Sequence, residues 1–311
     1  MLKFSFLFRH SPLILIKYIF NRLIYSYKVY VEKNRYHVKK IFGYKMLLDM
    51  EDLGLSRALM FFGQRELEHK YLLERYLRKG DTVLDLGANI GYYANMEAEI
   101  VGDEGRVIAI EPNPDNLRLL ELNLLLNHNN HISQVVHGAG GSEDGIAELF
   151  LSDKSNLHSF IRDANSNGSV LSVPMFSMKT IIKKFGEFDF LRMDIEGFEV
   201  NVLDSLLETL PAMSKKPGIL FETHLPKYSN EFNLKTSMAK LFENGYTATA
   251  IASNEGPKCS LRMSGYRPSE LIKTDGRLRG IYHNVTNEDA IKFVNEQGGV
   301  RAILLSYDAA S

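Results

Sequence analysis

The stretch Thr82–Gly91, TVLDLGANIG, decides how the rest of the chain is read. Val83, Leu84 and Leu86 make a short apolar run bounded by Gly80-Asp81 and Gly87, the pattern of a strand buried on both faces of a parallel sheet. Gly87 and Gly91 then let the backbone take conformations that other residues resist, and the turn leads into a helix whose free N–H groups favour an anionic group. Further on, Val107–Glu111 (VIAIE) is a second apolar run ending in an acid. A carboxylate there can accept hydrogen bonds from both hydroxyls of a ribose. A glycine turn alone is often only a tight connection; with Glu111 correctly spaced, it reads as half of a nucleotide site. The dinucleotide fingerprint is excluded, because its three glycine positions hold Gly87, Asn89 and Tyr92.

The 311 residues are 45% hydrophobic and 24% charged, which suits a globular protein with one large domain or one domain plus an extension. The single cysteine, Cys259, excludes an internal disulfide and any cysteine metal cluster, so a reducing, cytoplasmic setting is expected. Charge is unevenly spread. Residues 1–45 carry ten Lys or Arg against Glu32 alone, a balance of +9, while the remaining 266 carry 27 cations against 37 acids, a balance of −10. The cations lie outside the region of the motifs, so a nucleic-acid partner is not expected.

Residues 1–40 read as a basic amphipathic extension and 41–311 as the main domain. In residues 1–30 no uncharged run exceeds seven residues, too short for a spanning helix or a signal peptide. From Pro12 a helix is expected with Lys17, Asn21 and Lys28 on one face and bulky apolar residues opposite. Residues 1–35 could then touch the inner face of a membrane as a peripheral element, or pack on the body. Further helices are expected over 66–79, 117–126, 179–185, 232–243 and 287–296. Strands are expected near 135–136, 147–151, 188–193, 219–221, 248–252 and 300–306. Residues 153–170 read as a polar loop over the site and 253–280 as loops. Strands alternating with helices imply a parallel sheet covered on both faces.

Asp85, Gly87 and Gly91 match the Asp-x-Gly-x-x-x-Gly turn of S-adenosylmethionine-dependent methyltransferases. With Asp81–Tyr92 (DTVLDLGANIGY), Glu111–Asn127 (EPNPDNLRLLELNLLLN), Asp189–Leu203 (DFLRMDIEGFEVNVL) and Ile219–His224 (ILFETH), the chain resembles the FkbM-type methyltransferases over about residues 60–250. The resemblance implies a Rossmann-like class I α/β fold, a mostly parallel seven-stranded sheet with helices on both faces, and S-adenosyl-L-methionine as cofactor. It implies that Asp85, Gly87, Asn89 and Gly91 surround the methionine part, that Glu111 holds the ribose and that Asn113 sits beside the adenosine. His137-Gly138-Ala139 and Ser142–Asp144 stand where the family brackets adenine.

Transfer of a methyl group to a hydroxyl needs in-line alignment and a base. Asp194, at one expected strand end, and Glu222 with His224, at the next, are the candidates, together with Glu196. Glu222 and His224 are two apart and point to the same side of an extended strand. Asp194 and Glu196 can equally cap a helix, and His224 can be structural. His158, in the polar loop, is a weaker acceptor contact. Asp194, Glu222 and His224 are also chemically suited to a divalent ion, but their spacing is no metal motif and no metal is expected. The expected activity is O-methylation of a sugar, glycan or related small metabolite. The alternative is a non-catalytic cofactor-binding module recruited to a membrane or partner complex.

Overall fold

The computed structural model describes residues 12–274 and 276–308. Its centre is a nine-stranded sheet whose strands stand in the order β12 (Glu270–Thr274), β13 (Arg277–Tyr282), β11 (Tyr246–Asn254), β14 (Val300–Tyr307), β10 (Gly218–Glu222), β9 (Phe190–Met193), β3 (Thr82–Leu86), β4 (Arg106–Glu111) and β5 (Ser133–His137). The strands β3 (Thr82–Leu86), β4 (Arg106–Glu111), β5 (Ser133–His137), β9 (Phe190–Met193) and β10 (Gly218–Glu222) run parallel. They end together, so their carboxyl ends form one rim, the place where open parallel sheets bind ligands. Strand β14 (Val300–Tyr307) is antiparallel to β10, and β11 (Tyr246–Asn254) is antiparallel to β14. Those seven strands are the expected Rossmann-like class I sheet. The strand runs are apolar because both faces are covered, and the two apolar layers lie on opposite sides of the same sheet.

Two strands exceed the expected seven. Residues 253–280, read as loops, instead contain a short helix Ser260–Met263 and the hairpin β12 (Glu270–Thr274) and β13 (Arg277–Tyr282), which extends the sheet beyond β11. The hairpin hides from a periodicity reading because it forms an edge. Leu271 and Leu278 face solvent, Gly280 takes a place where a Cβ would stand 2.2 Å from Glu255 Oε1, and Arg279 is buried against Glu68 at 3.0 Å.

A separate three-stranded sheet contains β6 (Ala139–Gly141), β7 (Gly145–Phe150) and β8 (Val170–Ser177) in the order β6-β8-β7. The expected extended piece at 147–151 belongs here. A hairpin, β1 (Tyr36–Ile41) with β2 (Tyr44–Asp49), precedes the main sheet. Its edge is satisfied by a helix rather than a strand. Asn123 accepts from Leu47 N–H at 2.6 Å and donates to Leu47 C=O at 3.2 Å, and Asn127 one turn later does the same for Lys45, at 2.7 Å each way. Asn123 also donates to Ile90 C=O at 2.8 Å, so one buried amide joins the hairpin to the glycine turn.

The helix Pro12–Tyr30 lies on the helix Leu55–Phe62. Asn21 donates to Phe61 C=O at 2.8 Å, Tyr25 donates to Met50 C=O at 2.9 Å, and Tyr18 packs edge-on against Phe61. The face bearing Asn21 therefore meets the body. The opposite face exposes Ile16, Ile19, Phe20, Leu23, Tyr27 and Tyr30, a continuous apolar stripe at helical spacing. No helix among the described residues is long and apolar enough to cross a membrane.

Candidate active site

At the end of β3 the chain turns through Gly87 (φ +80°), Asn89 (φ +52°) and Gly91 (φ +83°) into the helix Tyr92–Val101. Gly87 is required twice over: its φ is left-handed, and a Cβ there would stand 2.2 Å from the carbonyl oxygen of Asp194. This close approach brings the ends of β3 and β9 together. Asn89 is of the residue type that tolerates the left-handed region best after glycine, and its side chain donates to Ser155 C=O at 3.1 Å. The polar loop expected over the site does lie there: Ser155, Asn156, His158 and Phe160 line the pocket beside the turn.

Glu111 ends β4 and is buried. Its Oε2 accepts from Asn89 N–H at 2.8 Å, and its Oε1 accepts from Asn113 N–H at 2.9 Å and from the Asn116 amide at 3.3 Å. Burial pushes its pKa up to about 7 against those bonds. Asn113 is the N-cap of the helix Pro114–Leu126, its side chain accepting from the N–H groups of Asp115 and Asn116. Gly138, Ala139 and Gly140 form a pocket wall near Pro112. Asp144, by contrast, is engaged with Ser177 N–H at 2.9 Å and Thr180 Oγ1 at 2.6 Å.

The residue that organises the rim is one the sequence reading passed over. Arg192 lies in β9, in register with Asp85, and is fully buried. Its Nη1 donates to Asp85 Oδ1 at 2.9 Å and to Gly87 C=O at 3.4 Å, and its Nη2 donates to Asp194 Oδ2 at 3.2 Å. The guanidinium also stacks 4.0 Å from the centre of the Tyr93 ring. The available signal was an arginine inside an otherwise apolar strand, which is costly to bury unless paired. Asp85 is wholly buried and acts on the pocket through Arg192 rather than by lining it. Burial pushes the Asp85 carboxyl up while Arg192 pulls it down. Nearby Glu97 is buried without a hydrogen-bond partner, and burial with the adjacent Asp85 holds its carboxyl well above the usual range.

Asp194, Glu196, Glu222 and His224 are brought together. His224 Nδ1 lies 2.9 Å from Glu199 Oε1, while Nε2 lies 3.4 Å from Glu222, 3.6 Å from Glu196 and 3.8 Å from Asp194. Burial opposes a charge on His224, but Glu199 and Glu222 outweigh it and hold the imidazolium well above the usual histidine range. Glu196 sits in the left-handed region (φ +51°), and burial, reinforced by Asp194 and Glu222 and opposed by His224, pushes it up to about 8. Glu222 is raised by burial and by Asp194, against Arg301.

A second missed layer steadies this cluster. Glu199 opens the helix Glu199–Thr209 and also accepts from Gly197 N–H at 3.2 Å and from Tyr228 OH at 3.2 Å. Arg301, from β14, pairs with Glu222 and lies 2.8 Å from Glu66, which also accepts from Tyr93 OH at 2.8 Å. These residues come from segments far apart in the chain, so no local pattern marked them.

Gly87, Asn89, Glu111, Arg192, Asp194 and Glu196 line one pocket that opens to solvent. One end carries the glycine turn and Glu111, the other the acids of β9. Glu222 and His224 stand just outside its lining, in contact with Asp194.

The Methyltransferase FkbM domain matches residues 85–248, just over half of the 311. Protein-L-isoaspartate O-methyltransferase 1 of Archaeoglobus fulgidus is 38% identical over 68 residues, 22% of this chain and 32% of that protein. Protein-L-isoaspartate O-methyltransferase 2 of the same organism is 54% identical over 39 residues, 12% of this chain and 18% of that protein. The chain thus spans a third or less of the length of these relatives. Among solved structures, an S-adenosylmethionine-dependent O-methyltransferase of Thermotoga maritima is 16% identical with a TM-score of 0.39, covering 79% of this chain and 66% of that one. M. jannaschii TYW2 in complex with AdoMet is 13% identical with a TM-score of 0.41, covering 88% of each chain. By its domain match and its motifs, the chain belongs to the FkbM-domain family of S-adenosylmethionine-dependent methyltransferases.

Proposed function

We propose that the chain methylates a hydroxyl oxygen of a sugar, glycan or related small metabolite. The observation that carries this reading is the two-ended pocket. At the cofactor end, Gly87 and Asn89 of the glycine turn and the Glu111 carboxylate share the pocket wall, a set that fits an adenosine sulfonium ligand. At the other end, the carboxyl groups of Asp194 and Glu196 share the lining with the half-buried ring of Phe160, which packs on Phe198 with centroids 5.1 Å apart. Carboxylates that accept from several hydroxyls, next to an aromatic face, suit a polyol better than a flat apolar acceptor. Bound S-adenosylmethionine supplies a methyl group whose transfer to the acceptor oxygen breaks the carbon–sulfur bond and leaves its electron pair on sulfur. Asp194 orients the hydroxyl and takes its proton, Glu196, with its pKa at about 8, orients it as a neutral hydrogen-bonding group, and Arg192 fixes Asp194 through its second oxygen.

Incubation with methyl-labelled cofactor and host extract, followed by mass spectrometry, tests the acceptor. A base-stable methyl ether in the carbohydrate or small-metabolite fraction is expected. Label released by mild base marks a carboxyl ester instead and contradicts the reading.

Glu111 gives a second test. As a carboxylate it accepts from both ribose hydroxyls; protonated, it loses that ability. Its pKa is raised to about 7, so the ionised form is gained as pH rises, and cofactor affinity should increase from pH 6 to pH 8. Glu111→Gln should weaken binding by roughly 10- to 100-fold, the value of about 1.5–3 kcal/mol for hydrogen bonds to a charged group, and flatten the pH dependence. Calorimetry that finds the variant as tight as the wild type removes Glu111 from the cofactor site.

For the outward stripe of the helix Pro12–Tyr30 we propose an anionic membrane surface as its partner. The apolar residues exposed there sit within a segment of charge +9, the complement of an anionic lipid face, where each cation contributes about 1 kcal/mol at low salt. Vesicles containing phosphatidylserine should sediment the protein at low salt and much less at high salt, and Phe20→Glu with Leu23→Glu should abolish it. Failure to sediment, with a dimer in solution that the double variant splits, would assign the stripe to a second copy of the chain.

A further inference from the structure

The cluster at the ends of β9 and β10 has a feature that methyl transfer alone leaves unexplained. His224 is 8% exposed, yet its Nε2 has no hydrogen-bond partner among the described residues. The other ring nitrogen is fixed: Nδ1 lies 2.9 Å from Glu199 Oε1, and the second oxygen of this wholly buried carboxylate accepts from Tyr228 OH at 3.2 Å. With the Nδ1 proton committed to a carboxylate, the ring offers Nε2 as a lone-pair donor in a set orientation once a cation displaces the second proton. Such carboxylate–histidine pairs stand around metal-bound imidazoles, where the outer carboxylate sets the tautomer and raises the basicity of the ring.

The space in front of Nε2 holds the remaining ligands. Glu222 Oε1 lies 3.4 Å away and Asp194 Oδ1 3.8 Å away, and one ligand atom from each of the three residues lies within 4.8 Å of the others. Arg192 bonds the opposite oxygen of Asp194, Oδ2, which leaves Oδ1 turned to this space. Neighbouring ligands on an ion at about 2.1 Å stand about 3.0 Å apart, so Nε2 needs to close on each carboxylate oxygen by less than about 1 Å and the two carboxylates on each other by less than about 2 Å. Arg301 also pairs with Glu222 and would share its lone pairs with the ion.

We propose that Asp194, Glu222 and His224 form a binding site for a divalent cation. One imidazole and two carboxylates make a mixed nitrogen–oxygen set suited to ions such as Mn²⁺ rather than to a thiolate-bound metal. Such ligands bind deprotonated, so the cation takes the place of the Nε2 proton. Three protein ligands leave coordination positions open, and Asp194 lines the pocket, so the open side meets whatever occupies the acceptor end. A role for the cation in holding an acceptor hydroxyl rests on the reading of the pocket given above; the binding itself does not.

Full-length protein stripped with EDTA and titrated with MnCl₂, with free Mn²⁺ followed by electron paramagnetic resonance, tests the site. One Mn²⁺ per chain is expected, bound at least about 10-fold more weakly by His224→Ala and by the isosteric Glu199→Gln, while S-adenosylmethionine affinity measured by calorimetry changes little. Thermal unfolding of each variant establishes that it is folded, and Glu199→Gln serves if His224→Ala is not. No uptake by the wild type up to millimolar Mn²⁺, or equal uptake by the wild type and both variants, overturns the site. Mn²⁺ uptake with no methyl label on any hydroxyl would leave the cation site standing and overturn the reading of the acceptor.

Discussion

One buried arginine holds the working end of this sheet together. Arg192 sits between β3 and β10, with no exposure to water, and reaches Asp85, the Gly87 carbonyl, Asp194 and the face of Tyr93. A guanidinium so placed must have its donors met, because an unpaired charge in the interior costs several kcal/mol. The demand works in both directions: Arg192 makes Asp85 tolerable at the centre of β3, and Asp85 makes Arg192 tolerable in β9. The site is thus a consequence of the electrostatics of the core. The same side chain that stabilises the strand pairing also aims Asp194 at the pocket.

The glycine turn extends this constraint to the other end of the pocket. Gly87 lets the Asp194 carbonyl approach, Asn89 passes its N–H to Glu111, and Asn123 ties the carbonyl of Ile90 to the hairpin edge at Leu47. Each contact spans elements distant in sequence, so the turn is held from several sides. Opposite it, Glu66, Arg301 and Glu222 form a chain of charges that leads from the start of the helix Leu67–Tyr76 to the last strand. Like Arg192, these groups are satisfied mainly by one another.

Much of this was legible in the residues. The runs at 82–86, 107–111, 188–193 and 219–222 read as buried strands because parallel strands need apolar side chains on both faces. The motifs Asp85–Gly91 and Glu111 marked the turn and the acid that the structure sets side by side at one end of the pocket, because glycine and a spaced acid are chemical requirements visible in the sequence. What stayed hidden has a common cause. Arg192 was masked by the apolar residues around it, and its partners lie 107 residues and 2 residues away. Glu66 and Arg301 meet across 235 residues. The edge hairpin at 270–282 combines solvent-facing leucines with a buried arginine, a pattern that inverts the rule used to find strands. Asn123 and Asn127 look like ordinary helix residues until the hairpin is placed against them.

The central claim is that the Arg192 network, and not the glycine turn alone, shapes the cofactor pocket. Calorimetric titration of Arg192→Met with S-adenosylmethionine, alongside urea unfolding, tests it most directly. Loss of the guanidinium leaves Asp85 buried without its partner, so the variant should be less stable by about 3–5 kcal/mol and should bind the cofactor at least roughly 10-fold more weakly even where it is fully folded. A variant with unchanged cofactor affinity and an unchanged unfolding midpoint would contradict the account.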